Sequence, residues 1–357
     1  MDVKHYLVVF VIVMVAVIAK LSNKIDTLEV LDQRSTMYNE TIDNAVDDSL
    51  NSMLEVQDSF EHTINLDVCN DTFFKALFAG FGVSDSPTGK DQLKMYVPLL
   101  LVTDTDGFYI MYHSTNNART QTTTAWTPKQ PYCYNGTLNS TGGAIPMIYS
   151  YQVNYTMGDE VKLTITPAGE KSYYFEGNYK TLVSDYTATV LDSSDQAAVN
   201  VLTKFMQEAT KNQKLFNGEY FSNFRNSVMI YQITKKMNYY VNQHNQIARN
   251  YGISYTFELP ESAMDSFSRT INDISLLAIF QGYPYGKGTD DVYSRFSVSG
   301  ARLYKADRYQ ITKDGSLWYY HRASCSKVAN PSAVLDSKGS RAECAALGAY
   351  ACPDCRP

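Results

Sequence analysis

Charged residues are scarce in this chain of 357 residues: Asp, Glu, Lys and Arg together make up 19% of it, and the formal net charge is −6. No basic field is present that would attract the phosphates of nucleic acids, so we expect no nucleic-acid partner. Hydrophobic residues make up 44% of the chain, which is close to the average of globular proteins. The chain can therefore bury a real core, in one large domain or in two ordinary ones.

The familiar catalytic motifs are missing as well. The five histidines are dispersed, and none belongs to a His-Glu-x-x-His pair. The sequence has no Gly-x-Ser-x-Gly elbow, no phosphate-binding Gly-Lys-Ser/Thr loop and no Rossmann glycine set. The paired carboxylates of a glycosidase have no such sequence motif, so a glycosidase-like pair stays open as an alternative. We expect a protein that is not an enzyme.

The N-terminus carries an uninterrupted apolar run, LVVFVIVMVAVIA, at residues 7–19. Three alternatives compete: a membrane anchor, a signal peptide cleaved after residue 19, and a helix buried in protein. A span needs about 20 residues. Tyr6 and Leu21 extend the run. The side chains of Lys4 and Lys20 can reach the two membrane–water interfaces. We expect a membrane anchor at residues 1–21 that leaves the C-terminal bulk of a single-pass protein extracytoplasmic.

The next segment predicts an amphipathic helix. Residues 20–58 contain no glycine and no proline, and apolar side chains recur there in steps of three and four. One long helix should therefore join the anchor to an amphipathic part at 22–60. An apolar half, an amphipathic half and a globular head together resemble pilin-like and Tad-type minor pilin subunits, which implies an assembly subunit. No glycine precedes the run and no glutamate lies near its start, so prepilin peptidase processing is not implied.

The middle of the chain, 61–307, reads as a mixed α+β head domain, because strand patterns and helix patterns are grouped separately. The chain has 28 tyrosines, which suit half-buried strands and protein contact surfaces. Cys69 and Cys133 could form a disulfide or remain two separate thiols. The predicted elements are a helix at 71–82 capped by Asp71, a hairpin at 93–113, a loop-rich insertion at 116–141, strands at 147–190, helices at 195–216 and 220–251, a strand at 253–259 and a helix at 261–281.

The C-terminal module, 308–357, contains His321-x-x-x-Cys325 and, further on, Cys352-x-x-Cys355. Zinc prefers four nitrogen or sulfur ligands at tetrahedral corners, and a Cys-x-x-Cys knuckle supplies two of them. We therefore predict a structural zinc site whose ligands are His321, Cys325, Cys352 and Cys355. A pair of disulfides is the alternative, and Cys344, on a predicted helix at 340–347, is the substitute ligand.

The pattern YHRASC…AECAALGAYACPDCRP resembles the zinc-binding module of Ada-type DNA alkylation-repair proteins. The resemblance is confined to the C-terminal module and implies the same four ligands. In those repair proteins a methyl-accepting cysteine stands where this chain has His321, so methyl-phosphotriester repair is not implied. The resemblance therefore implies a metal with a structural role and no repair activity.

Together these features predict a membrane-anchored, non-catalytic assembly or scaffold protein, such as a pilin-like or secretion-apparatus subunit. The expected partners are the membrane and either other proteins or further copies of the chain. An extracytoplasmic sensor or ligand-binding module is the first alternative. A secreted hydrolase is the second.

Overall fold

The chain folds as a mixed α+β protein, as predicted. The computed structural model describes residues 3–56, 62–115, 122–140, 147–184, 195–212, 216, 220–261, 267–285, 292–301, 309–314, 317–321, 325, 327, 334–338 and 341–355.

The first element is one continuous helix, α1 (Val3–Met53), of 51 residues, as the absence of glycine and proline predicts. Many side chains of the apolar run at 7–19 lie outside the described residues. Within the part of the chain that is described, no helix combines the length and the apolar character needed to cross a membrane.

The C-terminal part of α1 belongs to the main core. Ile42, Val46 and Met53 are completely buried, whereas Leu28, on the same predicted stripe, is 56% exposed. Tyr38 stacks on Phe81, at a distance of 4.4 Å between the ring centroids. The amphipathic stripe is therefore confirmed in the half of α1 that contacts the head.

A short hairpin and two helices follow α1: β1 (Leu54–Val56), β2 (His62–Ile64), α2 (Leu66–Gly80) and α3 (Pro87–Lys94). The prediction that Asp71 caps the first of these helices is wrong, because α2 begins earlier and the Asn65 side chain accepts a hydrogen bond from the Val68 N–H. Phe73 and Leu77 of α2 are fully buried.

Nine strands form the main sheet, in the order β11-β10-β3-β4-β6-β7-β8-β9, with β5 also paired to β4. Every pair in this sheet is antiparallel. The strands are β3 (Leu99–Asp104), β4 (Gly107–Thr115), β5 (Thr122–Trp126), β6 (Gln130–Ser140), β7 (Met147–Tyr155), β8 (Glu160–Pro167), β9 (Tyr173–Asn178), β10 (Ile274–Pro284) and β11 (Val292–Ala301).

Helices cover this sheet. The short α4 (Tyr179–Ser184) follows β9, and the long α5 (Gln196–Asn212) and α6 (Phe221–Asn250) come next, close to their predicted bounds. Helix α6 packs on β3, β4 and β6, while α1 packs on β10 and β11. Every residue of β3 is buried, as expected for a strand covered on both faces.

Four element predictions are wrong. Strands were predicted over 147–190, but residues 179–184 form the helix α4. The segment at 116–141 is not a loop-rich insertion, because β5 and the whole of β6 lie in it. No strand forms at 253–259. The helix predicted at 261–281 is replaced over its second half by β10, whereas 262–266 lies outside the described residues. The run ISLLAIF in β10 is buried on both faces, so it lacks the alternation that marks a half-exposed strand.

The C-terminal module has its own sheet, in the order β14-β12-β13-β15. Its elements are β12 (Tyr309–Asp314), β13 (Leu317–His321), β14 (Val334–Lys338), α7 (Arg341–Ala346) and β15 (Tyr350–Ala351). Helix α7 confirms the helix predicted at 340–347. Ile311, Cys344 and Ala349 form its small apolar core.

Candidate metal centre

Four side chains of the C-terminal module converge: His321, Cys325, Cys352 and Cys355. One ligand atom from each lies within 4.8 Å of all the others. These are the four residues that the sequence spacing singles out, and together they could hold a metal ion.

Strand pairing brings the two halves of the site together. Strands β13 and β15 are parallel, with Tyr320 opposite Ala351, so the next residue of each chain segment, His321 and Cys352, emerges at the same end. The Cys352 N–H donates to the Tyr320 carbonyl over 3.1 Å and extends this pairing. The pairing of β13 with β15 thus brings ligands from both segments together.

The imidazole of His321 is oriented for coordination. It is 1% exposed, and its Nε2 lies 2.8 Å from the Thr312 hydroxyl. Its Nδ1 is buried and has no hydrogen-bond partner among the described residues. If Nε2 carries the proton and donates it to Thr312, Nδ1 keeps its lone pair for a metal, as in a metal-bound histidine held by an outer hydrogen bond.

Electrostatics favour the forms that bind a cation. Burial lowers the pKa of His321, and the nearby Lys327 ammonium lowers it further, so the neutral imidazole is favoured. Burial alone would raise the pKa of the Cys352 thiol, but hydrogen bonds from the backbone N–H groups of Cys355 and Asp354 outweigh it and lower the pKa. Lys327 and Asp354 also form an ion pair of 2.8 Å beside the site.

Cys344, which the sequence analysis kept as a substitute ligand, is not one of the four residues that converge. It is fully buried on α7, in the small apolar core with Ile311 and Ala349.

The role of Thr312 was missed by the sequence analysis. Its hydroxyl reaches His321 only because β12 pairs with β13, and no motif marks that contact.

The cysteines of the head are not joined. Cys69 and Cys133 are separate thiols, the first buried in the main core and the second half-buried on β6, so the disulfide alternative is wrong. Burial raises the pKa of Cys69 to about 12, which keeps this thiol protonated and unreactive.

A second polar cluster surrounds Asp104 at the tip of the β3–β4 hairpin. Its carboxylate lies 2.6 Å from His62 Nε2 and 2.7 Å from Lys129 Nζ, and its backbone carbonyl accepts from the Tyr132 hydroxyl. Burial would raise the pKa of Asp104, but the hydrogen bonds from Lys129 and His62 lower it below its usual value. These contacts connect β2 to the β3–β4 hairpin, so the role of Asp104 is structural.

Searches against protein families, curated proteins and solved structures found no match to the chain. The resemblances to the Ada-type module and to pilin-like subunits therefore stay predictions.

Proposed function

We propose that the chain is a membrane-anchored, non-catalytic assembly or scaffold protein whose C-terminal module binds one structural Zn²⁺. The observation that carries the metal part is the convergence of one imidazole and three thiols within 4.8 Å, with a buried, unpartnered Nδ1 on His321.

Zinc suits this donor set better than the other common cations do. Three thiolates and one neutral imidazole are a frequent set for structural zinc, whereas magnesium and calcium require oxygen ligands. Four protein ligands complete a tetrahedral shell and leave no position for a reacting water, so the ion would hold the module together without acting as a catalyst.

The anchor is proposed from the apolar run at 7–19 and from the continuity of α1. Because Ile42 and Val46 are buried in the main core, one helix would join the bilayer directly to the head with no flexible linker between them. Such a rigid stalk suits a subunit that must hold its head at a fixed place.

Exposed tyrosines support contacts with other proteins. Tyr174, Tyr231 and Tyr239 are 63%, 61% and 56% exposed on the surface of the head. Tyrosine is enriched in protein interfaces because its ring is apolar while its hydroxyl still bonds to water or to a partner. We propose that partner proteins or further copies of the chain cover these side chains.

The zinc proposal is tested by measuring the metal content of protein purified without chelators. Wild type should carry about one zinc per chain, and Cys352→Ser should lose it because one of four ligands is removed. Cys133→Ser is the matched control, since this thiol lies on β6 in the head. A metal-free wild type, or full zinc retention in Cys352→Ser, would show that the site does not bind zinc.

The anchor is tested by membrane fractionation of cells that express the full chain. Wild type should sediment with membranes and resist extraction by high salt, and Val13→Arg with Val17→Arg should release it because charge in the bilayer core is costly. Leu28→Arg, outside the predicted anchor, should change nothing. Release of wild type by salt would exclude the anchor, and a mature N-terminus at Lys20 would favour the secreted alternative.

A further inference from the structure

The three thiols of the metal centre differ in how far solvent reaches them. Cys325 and Cys352 are 8% and 1% exposed, whereas Cys355 is half-buried. Cys355 lies in the turn that follows β15, and the two residues before it in this turn, Pro353 and Asp354, are exposed. A small solute therefore reaches Cys355 before it reaches the other two thiols.

The Cys352 thiol lies between the other two. It is hydrogen-bonded to both Cys325 and Cys355. Two residues separate Cys352 from Cys355 in the sequence. This is the spacing of the Cys-x-x-Cys pairs that alternate between dithiol and disulfide in redox proteins. Cys352 is thus close enough to bond with either neighbour, and the exposure of Cys355 selects the pair.

The thiols of the head lack such a neighbour. Cys69 is fully buried in the main core, and Cys133, half-buried on β6, is not one of the residues that converge. A thiol that coordinates a cation is also deprotonated, and the thiolate is the form that reacts with peroxides. Oxidation should therefore join cysteines at the metal centre and not in the head.

We propose that the metal centre is a redox switch, in which a peroxide converts Cys352 and Cys355 to a disulfide and the metal is released. This inference rests on the proposed function, because it takes the four converging residues as zinc ligands. The metal-binding thiols and the disulfide, which are alternatives for the spacing of these cysteines, are then two states of one site.

The step balances with hydrogen peroxide as the oxidant. The Cys355 thiolate attacks one peroxide oxygen, the O–O bond breaks, and Cys355 becomes a sulfenic acid while hydroxide leaves. The Cys352 thiolate then attacks the Cys355 sulfur, an S–S bond forms, and a second hydroxide leaves. The two sulfur atoms lose two electrons in all, and these electrons reduce one peroxide to two hydroxide ions.

Disulfide formation removes two of the four ligands. His321 and Cys325 alone give a cation an incomplete shell and hold it far less well. The small core around Ile311 then loses the support of the metal, whereas the core of the head contains none of the four ligands. Oxidation therefore unfolds the C-terminal module and leaves the head folded, so that contacts made by the module are lost under oxidising conditions.

The test treats zinc-loaded, full-length protein with hydrogen peroxide in the presence of a weak chromophoric chelator. We expect wild type to release about one zinc per chain, and to release none over the same time without peroxide. Peptide mapping by mass spectrometry should find the disulfide between Cys352 and Cys355. Dithiothreitol and zinc together should restore the metal content.

Two variants make the test specific. Cys355→His keeps four ligands, two cysteines and two histidines, and removes the thiol that peroxide reaches first. Its zinc release in peroxide should be about tenfold slower than that of wild type. Cys133→Ser, in the head, is the matched control and should release zinc at the wild-type rate. The disulfide map of wild type decides the pair even if Cys355→His binds no metal.

The switch is overturned if wild type keeps its zinc in peroxide, or releases it without a disulfide between Cys352 and Cys355. It is also overturned if reductant and zinc fail to restore the site, or if zinc-loaded Cys355→His releases its metal as fast as wild type. All of these results leave the zinc site itself standing. Wild type that is purified without zinc contradicts the proposed function as well.

Discussion

At the scale of single residues, the hydroxyl of Thr312 decides how His321 is oriented. Thr312→Val keeps the shape of the side chain but removes the partner 2.8 Å from Nε2. Loss of such an outer hydrogen bond should weaken zinc binding by about 10–100-fold. Competition with a chromophoric chelator measures the affinity.

Thr312→Ser is the control for this change. It retains the hydroxyl and should bind zinc nearly as wild type does, although it removes a methyl group that is buried in the module. If valine and serine lowered the affinity equally, the hydroxyl would have no orienting role and the packing of Thr312 would explain the loss.

The buried pair His113 and His244 predicts loss of stability in acid. Burial holds both pKa values below the usual 6.5. The Lys94 ammonium further lowers the pKa of His113, and the His113 ring further lowers that of His244. Between pH 7 and pH 5 the unfolded chain takes up protons that the folded chain does not, so stability falls as the pH falls. His113 alone should contribute about 2 kcal/mol to that loss.

Urea unfolding at pH 7 and at pH 5, followed by far-UV circular dichroism, measures this loss. In His113→Gln the amide can still donate to the Val97 carbonyl, and the loss between the two pH values should be about half that of wild type. A second change, His244→Gln, should remove most of the rest. An unchanged loss in the double variant would mean that groups other than these two histidines are responsible.

The sequence predicts residues well where chemistry requires fixed spacing. His321-x-x-x-Cys325 and Cys352-x-x-Cys355 identify all four members of the cluster, because adjacent ligands come from one knuckle. The contact between Thr312 and His321 and the unpartnered Nδ1 atoms of the head could not be predicted, since each depends on a strand or helix brought in from elsewhere.

At the scale of elements, the β3–β4 turn depends on glycine for close approach. Gly107 pairs with Asp104 at the turn, and a Cβ atom there would lie 2.6 Å from the Gln130 carbonyl oxygen of β6. A backbone atom held in the sheet cannot move away cheaply. Gly107→Ala should therefore lower the free energy of unfolding by about 1–3 kcal/mol, as measured by urea denaturation.

Gly158→Ala is the matched control for that substitution. Its nearest neighbour would be the Thr156 hydroxyl at 3.7 Å, which is ordinary contact. The expected change is within about 0.5 kcal/mol. Equal destabilisation by both substitutions would show that the loss of glycine itself, and not the contact with Gln130, is the cause.

Helix α1 should divide energetically into two parts. Ile42 is fully buried, so Ile42→Ala should cost about 2–5 kcal/mol, whereas Leu28, 56% exposed, should tolerate alanine with a change of about 0.5 kcal/mol or less. Chemical denaturation of the detergent-solubilised full chain gives both values. A large loss at Leu28 would indicate that a partner or a second copy covers this part of the helix.

The elements that the sequence predicted well are those with a strong helical period or a turn signal. Helices α1 and α6 and the β3–β4 hairpin, predicted at 93–113, belong to this group. Strand β10 was mistaken for a helix because burial on both faces removes the alternation that identifies strands. Strands β5 and β6 were missed because many of their outward positions hold Thr, Asn and Gly, which are typical of loops.

At the scale of the molecule, the described residues form separate apolar cores. The head has one large cluster that includes α1, whereas the C-terminal module has only small clusters around Ile311 and around Cys325. The two regions also have separate sheets. A core as small as that of the module does not supply enough burial to fold alone, so its stability should depend on the metal.

Removal of the metal should therefore unfold the module and leave the head intact. The two tryptophans separate these outcomes, because Trp126 lies in the main sheet and Trp318 lies on β13. In Trp126→Phe, a strong zinc chelator should shift the emission of Trp318 to the red, as water reaches the ring. In Trp318→Phe, chelation should leave the emission of Trp126 and the thermal midpoint of the head unchanged within error. The reason is that none of the four ligands belongs to the core of the head. If chelation lowered the thermal midpoint of the head by several degrees, the module would be stabilising the head, and the metal would support the whole protein.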